Sequence, residues 1–217
     1  MTFVLVNFKT YEEGTGREAL KLARTIDRFK ASGDRMAIAV QAADLRMICR
    51  EVKIPVFAQH MDVISYGSHT GSILPEALKK AGAKGVLINH SEKQLSWKGI
   101  KERVEVCKRL GLMSVVCASN LHIVKKVAKL KPNFIAYEPH KLIGMNVSVT
   151  TVNPQVIVKA AQVIEQQGGK MRLLVGAGVT AKRDVQKAEE LGATGVLLAH
   201  KIVKAKKVKD VLKRMFK

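Results

Sequence analysis

Eight short apolar runs, at 3–7, 35–41, 55–59, 85–89, 113–117, 133–137, 171–175 and 195–199, recur along the chain with helically spaced stretches between them. Runs this brief and apolar on both faces suit strands that are covered on each side. The intervening stretches keep a different period: Ala19, Leu20, Leu22, Ala23, Ile26 and Phe29 fall on one helical face. A parallel strand reaches its neighbour only through a long crossover, usually a helix, so this alternation implies a parallel sheet wrapped in helices. Eight such units predict an α/β fold, the closed (β/α)8 barrel, as a single domain over 1–217 with short loops. An open doubly wound sheet is the alternative, but Asn7-Phe8-Lys9-Thr10-Tyr11 stands where its glycine-rich first turn belongs. Because barrels of this type typically take about 250 residues, a chain of 217 leads us to expect clipped loops and a missing helix.

Boundary signals agree with the periodicity. Thr15-Gly16-Arg17-Glu18 has the form of a capping box, and Asn153-Pro154 offers a cap with proline at the first helical position. Thr180 is placed to cap the stretch carrying Val185, Ala188 and Leu191, and glycines at 82, 111 and 192 mark helix exits.

Composition limits partners more than chemistry. The formal net charge is +20, from 38 Lys+Arg against 18 Asp+Glu, a field that draws phosphorylated metabolites and nucleic acid alike. Lys204, Lys206, Lys207, Lys209, Lys213 and Arg214 alternate with Val203, Val208, Val211 and Leu212, which reads as the outer face of an amphipathic helix. Aromatic residues are only 5% of the chain and no basic stripe is interleaved with them, so no specific nucleic-acid binding is expected. Cys49, Cys107 and Cys117 form no CxxC pair and lack a histidine at metal-ligand spacing, which fits reduced thiols in a cytoplasmic protein. Neither a signal peptide nor a run long enough for a membrane span is expected.

Four polar residues stand at the carboxyl ends of these runs: Asn7 and Lys9 after the first, His90 after the fourth and Glu138 after the sixth. In a (β/α)8 barrel all those ends meet at one face, so residues far apart in sequence converge there. A carboxylate base, an imidazole donor and a fixed ammonium in one apolar mouth suit proton abstraction beside a carbonyl. Glu138 would take the proton, His90 would donate to the oxygen, and Lys9 would stabilise the enediolate. Singly, each has an ordinary reading: His90 as a satisfied core histidine, Glu138 as a turn carboxylate, Lys9 as a surface residue. Their common placement at strand ends argues against all three at once.

At this level the chain resembles the triosephosphate isomerase family, in its short archaeal form. The resemblance rests on Asn7-Phe8-Lys9-Thr10-Tyr11, Gln59-His60-Met61-Asp62, Gly67-Ser68-His69-Thr70-Gly71, Asn89-His90-Ser91-Glu92-Lys93, Ala136-Tyr137-Glu138-Pro139, Leu142-Ile143-Gly144 and Gly176-Ala177-Gly178, in family order. It implies a TIM barrel that interconverts dihydroxyacetone phosphate and D-glyceraldehyde 3-phosphate without cofactor or metal. By position it implies Glu138 as base, His90 as electrophile and Lys9 as the third catalytic group, supported by Glu92. Asn7, Phe8, Ile143, Gly144, Gly178, Ala199 and His200 are implied as substrate-binding, and 139–146 as a lid that excludes water. Gly67–Gly71 matches a loop that enters a neighbouring subunit, which implies a homodimer or homotetramer with Thr70 near the partner's catalytic lysine.

The phosphate half departs from the family. Ala199-His200-Lys201 replaces Ala-Ser-Gly, so Lys201 either obstructs close backbone approach or forces a strained φ, or else His200 and Lys201 add positive charge beside a dianion. Gly144-Met145-Asn146 and Thr180-Ala181-Lys182-Arg183 differ more mildly, the latter adding two charges near the rim. These changes keep a rival open, a weakened or inactive barrel acting as a basic binding protein. A further rival, Lys9 as a Schiff-base lysine, is disfavoured because Lys9 lies beyond its strand rather than desolvated within it.

Overall fold

The computed structural model describes residues 2–29, 35–139 and 148–217. All eight apolar runs are strands: β1 Phe3–Asn7, β2 Arg35–Val40, β3 Val56–Ala58, β4 Gly85–Ile88, β5 Met113–Ala118, β6 Phe134–Tyr137, β7 Arg172–Val175 and β8 Gly195–Leu198. Each pairs in parallel with the next, and β8 closes on β1 with Leu197 opposite Leu5. Helices α1 Gly16–Asp27, α2 Ala42–Cys49, α3 Pro75–Ala81, α4 Trp97–Leu110 and α5 Leu121–Ala128 follow β1 to β5 in turn. After β6 come α6 Val149–Val152 and α7 Pro154–Gln166, after β7 comes α8 Lys182–Glu190, and after β8 come α9 His200–Val203 and α10 Val208–Phe216. Every strand is thus followed by a helix, and the expected missing helix is corrected. The chain is short because its elements are short, with three residues in β3 and seven in α3.

Strand alternation divides the core in two. Phe3, Leu5, Phe57, Leu87, Val115, Phe134, Ala136, Leu174 and Leu197 pack inside the barrel, while Val4, Val6, Val86, Ile88 and Ile135 pack under the helices. Phe3 stacks on Phe134 with ring centres 4.6 Å apart and meets Phe57 edge-on at 6.4 Å. The Phe57 ring requires glycine opposite it, since a Cβ on Gly85 would fall 2.3 Å from that ring, while close strand approach requires Gly195, where a Cβ would fall 2.0 Å from the Phe3 carbonyl oxygen. Phe3 and Phe134 begin their strands, so bulk fills the amino end of the barrel. The carboxyl end is left to polar groups.

Some local expectations change. Thr15 precedes α1, but its hydroxyl donates to the Tyr11 carbonyl and Glu18 pairs with Lys21, so the capping box does not form. Instead the Asp44 carboxylate accepts from the Gly16 N–H. Proline opens α7 as expected, although the Asn153 side chain makes no capping bond. At α8 the cap is Asp184, whose carboxylate accepts from the N–H groups of Thr180 and Ala181, rather than Thr180 itself. Gly82 and Gly111 end α3 and α4 in the left-handed conformation. In the last helix Val211, Leu212, Met215 and Phe216 are buried. Lys204, Lys206 and Lys207 precede it, in the turn after α9, and so are not on its outer face.

Candidate active site

The alternation that fills the barrel also aims its mouth. Phe3 and Leu5 point inward, Asn7 keeps that parity at the end of β1 and Lys9 follows two residues on; Phe134 and Ala136 do so on β6, and Glu138 is next. His90 follows Asn89, which bends the chain after β4 at φ 61°. That bend is held by the Asn89 amide, which donates to the Cys117 carbonyl and accepts from the Leu95 N–H.

Asn7, Lys9, His90, Glu138, Gly178, Ala199 and His200 line one cavity of ≈ 110 Å³, so the strand-end residues do converge. Tyr11, Thr180 and Lys201 line it too. Phe8 does not: it is fully buried in the outer core and donates its N–H to the Ala39 carbonyl. Its large side chain anchors the loop that carries Lys9. Ile143, Gly144 and lid residues 140–146 lie outside the described residues.

Glu138 is buried, with 7% of its surface exposed. Burial pushes its carboxyl up to about 7, against the opposing pull of the Cys117 thiol hydrogen bond and the Lys9 charge. Oε2 is buried and has no hydrogen-bond partner among the described residues, and His90 Nε2 lies 3.9 Å from it. A carboxylate held in this way is a strong base with one oxygen open to receive a proton. Space for it comes from Gly176, where a Cβ would stand 2.4 Å from Glu138 Oε1 and 2.5 Å from its Cγ. Gly176→Ala is therefore expected to displace the carboxylate and lower kcat by about tenfold to a hundredfold while the barrel stays folded. Steady-state kinetics beside a thermal melt would check this, and unchanged kcat would show that the carboxylate does not depend on that gap.

The backbone N–H of Glu92 donates to His90 Nδ1 at 3.2 Å. Nδ1 is thereby an acceptor, which places the ring hydrogen of a neutral imidazole on Nε2, the nitrogen near Glu138. Lys9 adopts φ 50°, a conformation that side chains other than glycine rarely take. Three hydrogen bonds hold it there: its N–H donates to Asn7 Oδ1 at 3.0 Å, and the Gln59 amide donates to Asn7 Oδ1 and to the Lys9 carbonyl. The ammonium is then fixed on Glu92 at 2.6 Å. Gln59 and Cys117 are thus supporting residues that the sequence reading gave no role. The parity of Phe57 on β3 with Gln59 just beyond it, and of Val115 and Cys117 on β5, is the available signal.

On the phosphate side, Lys201 lies within α9 and is absent from the positive-φ residues, which removes the expected strain. The N–H groups of Gly178, His200 and Lys201 have no acceptor among the described residues. Unpaired donors beside a cavity are what an oxyanion needs. Lys182, expected at the rim, donates instead to the Lys217 carbonyl, and neither it nor Arg183 lines the cavity. Among the described residues no group of three or more His, Cys, Asp or Glu is placed to hold a metal ion.

A profile of the triosephosphate isomerase family matches residues 2–215. Curated triosephosphate isomerases resemble the chain over nearly its full length. That of Methanocaldococcus jannaschii is 43% identical, covering 99% of this chain and 98% of its own. That of Archaeoglobus fulgidus is 42% identical over 99% and 97%, and that of Methanothermus fervidus 41% over 98% and 96%.

Proposed function

The chain belongs to the triosephosphate isomerase family, and we propose that Glu138, His90 and Lys9 perform its reaction, with residues 1–217 acting as one barrel domain. The reaction interconverts dihydroxyacetone phosphate and D-glyceraldehyde 3-phosphate, a step shared by glycolysis and gluconeogenesis. Glutamate base and neutral histidine are the family's known division of labour. The observation that carries it to these residues is the buried Glu138 Oε2, without a hydrogen-bond partner among the described residues and 3.9 Å from His90 Nε2.

Glu138 takes the proton from the carbon beside the carbonyl. As negative charge moves to oxygen, His90 Nε2–H donates to it and the Lys9 ammonium stabilises it. His90 passes its Nε2 proton to that oxygen and takes the hydroxyl proton from the neighbouring one, the protonated carboxyl returns its proton to the adjacent carbon, and the isomer is complete. The phosphate is held by the N–H groups of Gly178, His200 and Lys201, which contribute through the backbone. Substitution of the 200–201 side chains therefore leaves those donors in place, and nothing observed favours the inactive rival.

The assembly we infer is at least a dimer. Asp62 closes a loop onto Ile73 through both its N–H and its carboxylate, and Arg103 braces the base by donating to the Met61 carbonyl. The tip beyond presents Val63 and Tyr66, 38% and 63% exposed, beside Ser68, His69 and Thr70. A rigid loop with apolar residues at its tip suits insertion into a second copy. Among the described residues no helix is long and apolar enough to cross a membrane. The cytoplasm is the compartment we infer.

The pH profile tests the assignment of the base. Glu138 works only when ionised, and its carboxyl titrates at about 7. As pH falls below that value kcat/KM is expected to drop by about tenfold per unit. Above it kcat/KM should be flat until another group titrates. A coupled isomerase assay across this range would read the limb; a limb in the ordinary carboxylate range would overturn the raised titration of Glu138, and a profile with no acid limb at all would exclude Glu138 as the base.

A further inference from the structure

A second, wider cavity of ≈ 480 Å³ lies between α9 and α10, adjoining the catalytic one. Its wall is cationic, built by Lys201, Lys204, Lys206, Lys207 and Arg214 over an apolar floor of Ala205 and Val211. Lys204 is neutralised by Glu13 at 2.8 Å. Lys201, Lys206, Lys207 and Arg214 have no acidic partner among the described residues. Like charges gathered in a concavity raise the local positive potential and attract an anion.

Two residues join this groove to the catalytic cavity, since His200 and Lys201 line both. Tyr11 strengthens the junction: it lines the catalytic cavity, meets His200 edge-on at 6.2 Å and carries the Lys204 ammonium 5.7 Å above its ring. An anion seated in the groove would thus touch the residues that border the substrate's phosphate.

The wall also selects among anions. Its volume falls within the range of about 300–1,000 Å³ usual for small-molecule pockets. Cations spread along it match charge spread along a ligand, which a chain of linked phosphates has and a single phosphate lacks. Among the described residues no Phe, Tyr or Trp lines it, so the bases of a nucleic-acid strand would find little stacking surface beyond His200 and Arg214. We propose that the groove between α9 and α10 binds a small polyphosphorylated anion, and that its occupancy blocks the phosphate end of the catalytic cavity. Inhibition competitive with triose phosphate follows from the isomerase reading, whereas binding does not depend on it.

Tripolyphosphate is the probe, and the triple variant Lys206→Ala, Lys207→Ala, Arg214→Ala removes cations that line the groove alone. Calorimetric titration of the intact protein should show tripolyphosphate binding more tightly than inorganic phosphate, and the variant should weaken it by about tenfold, as expected for the loss of several partly exposed charge contacts. In the isomerase assay tripolyphosphate should raise KM without changing kcat, and the variant should keep wild-type KM and kcat in its absence. Equal binding to wild type and variant, or no preference for tripolyphosphate over phosphate, would overturn the proposal. Binding of a short single-stranded DNA that the variant loses and tripolyphosphate fails to displace would assign the groove to nucleic acid and overturn it equally. Absence of tripolyphosphate binding to the wild type refutes the groove, whereas binding without any turnover refutes the isomerase reading, so the two failures are distinguishable.

Discussion

Glu138→Gln should lower kcat by about three to four orders of magnitude, the upper range for a positioned general base, with KM changed by only a few fold. The same variant should be more stable than wild type at alkaline pH. Glu138 titrates at about 7 in the fold against an ordinary 4.5, so between those values the folded state holds a proton that the unfolded state has released. Stability is therefore lost as pH rises through that window and stays low above it, by about 3 kcal/mol at about 1.4 kcal/mol per unit. Glutamine removes the buried charge but brings an unpaired amide, so about 1–2 kcal/mol of this should be recovered at pH well above 7. Urea melts of both proteins at alkaline pH would read the gain, and its disappearance at acid pH would confirm the source. A carboxylate that costs stability once ionised, in keeping with its proposed role as base, is the physical meaning of the unpartnered Oε2.

Lys9→Met carries the second large effect. The ammonium is the cation that Glu92 holds at 2.6 Å within the cavity's rim, and its loss leaves the developing oxyanion to His90 alone. A fall in kcat/KM of about a hundredfold to a thousandfold is expected, on the scale of deleting one preorganised oxyanion donor. A diagnostic shift should accompany it. Lys9 pulls the Glu138 carboxyl down and Glu92 pushes it up, so removing the lysine should move the acid limb of the pH profile to higher pH. Measuring kcat/KM against pH for the variant gives both numbers. A reduced rate with an unmoved limb would mean that Lys9 acts on substrate without influencing the base.

Much of this arrangement was legible in the sequence because strands and their ends obey one simple rule. Apolar runs at 3–7 and 133–137 define strands, period two orients them, and Asn7 and Glu138 therefore face the mouth. Short-range chemistry was read less well. Thr15 and Glu18 match a capping box, yet Asp44, remote in sequence, supplies the acceptor to Gly16, and local pattern cannot foresee a tertiary competitor. Lys204, Lys206 and Lys207 were placed on a helix face from charge alternation, whereas the chain turns before Val208 and leaves them around a cavity. The family resemblance implies Phe8 as substrate-binding, but alternation sends its side chain outward into the core. The brace made by Gln59 was hidden for another reason: its partners are backbone carbonyls and Asn7 Oδ1, which no residue pattern displays. The consequence of Lys201 could not be read at all without its φ, because strain depends on conformation rather than identity.

Isomerisation in deuterated water tests the central claim most directly, because a proton removed by a carboxylate open to solvent exchange leaves a record on carbon. Wild-type protein supplied with D-glyceraldehyde 3-phosphate should yield dihydroxyacetone phosphate bearing deuterium at the carbon that receives the proton, read by NMR, and Glu138→Gln should yield it about three to four orders of magnitude more slowly. Deuterated product formed equally fast by Glu138→Gln, or no product from the wild type, would contradict the assignment of Glu138 as the base of an isomerase.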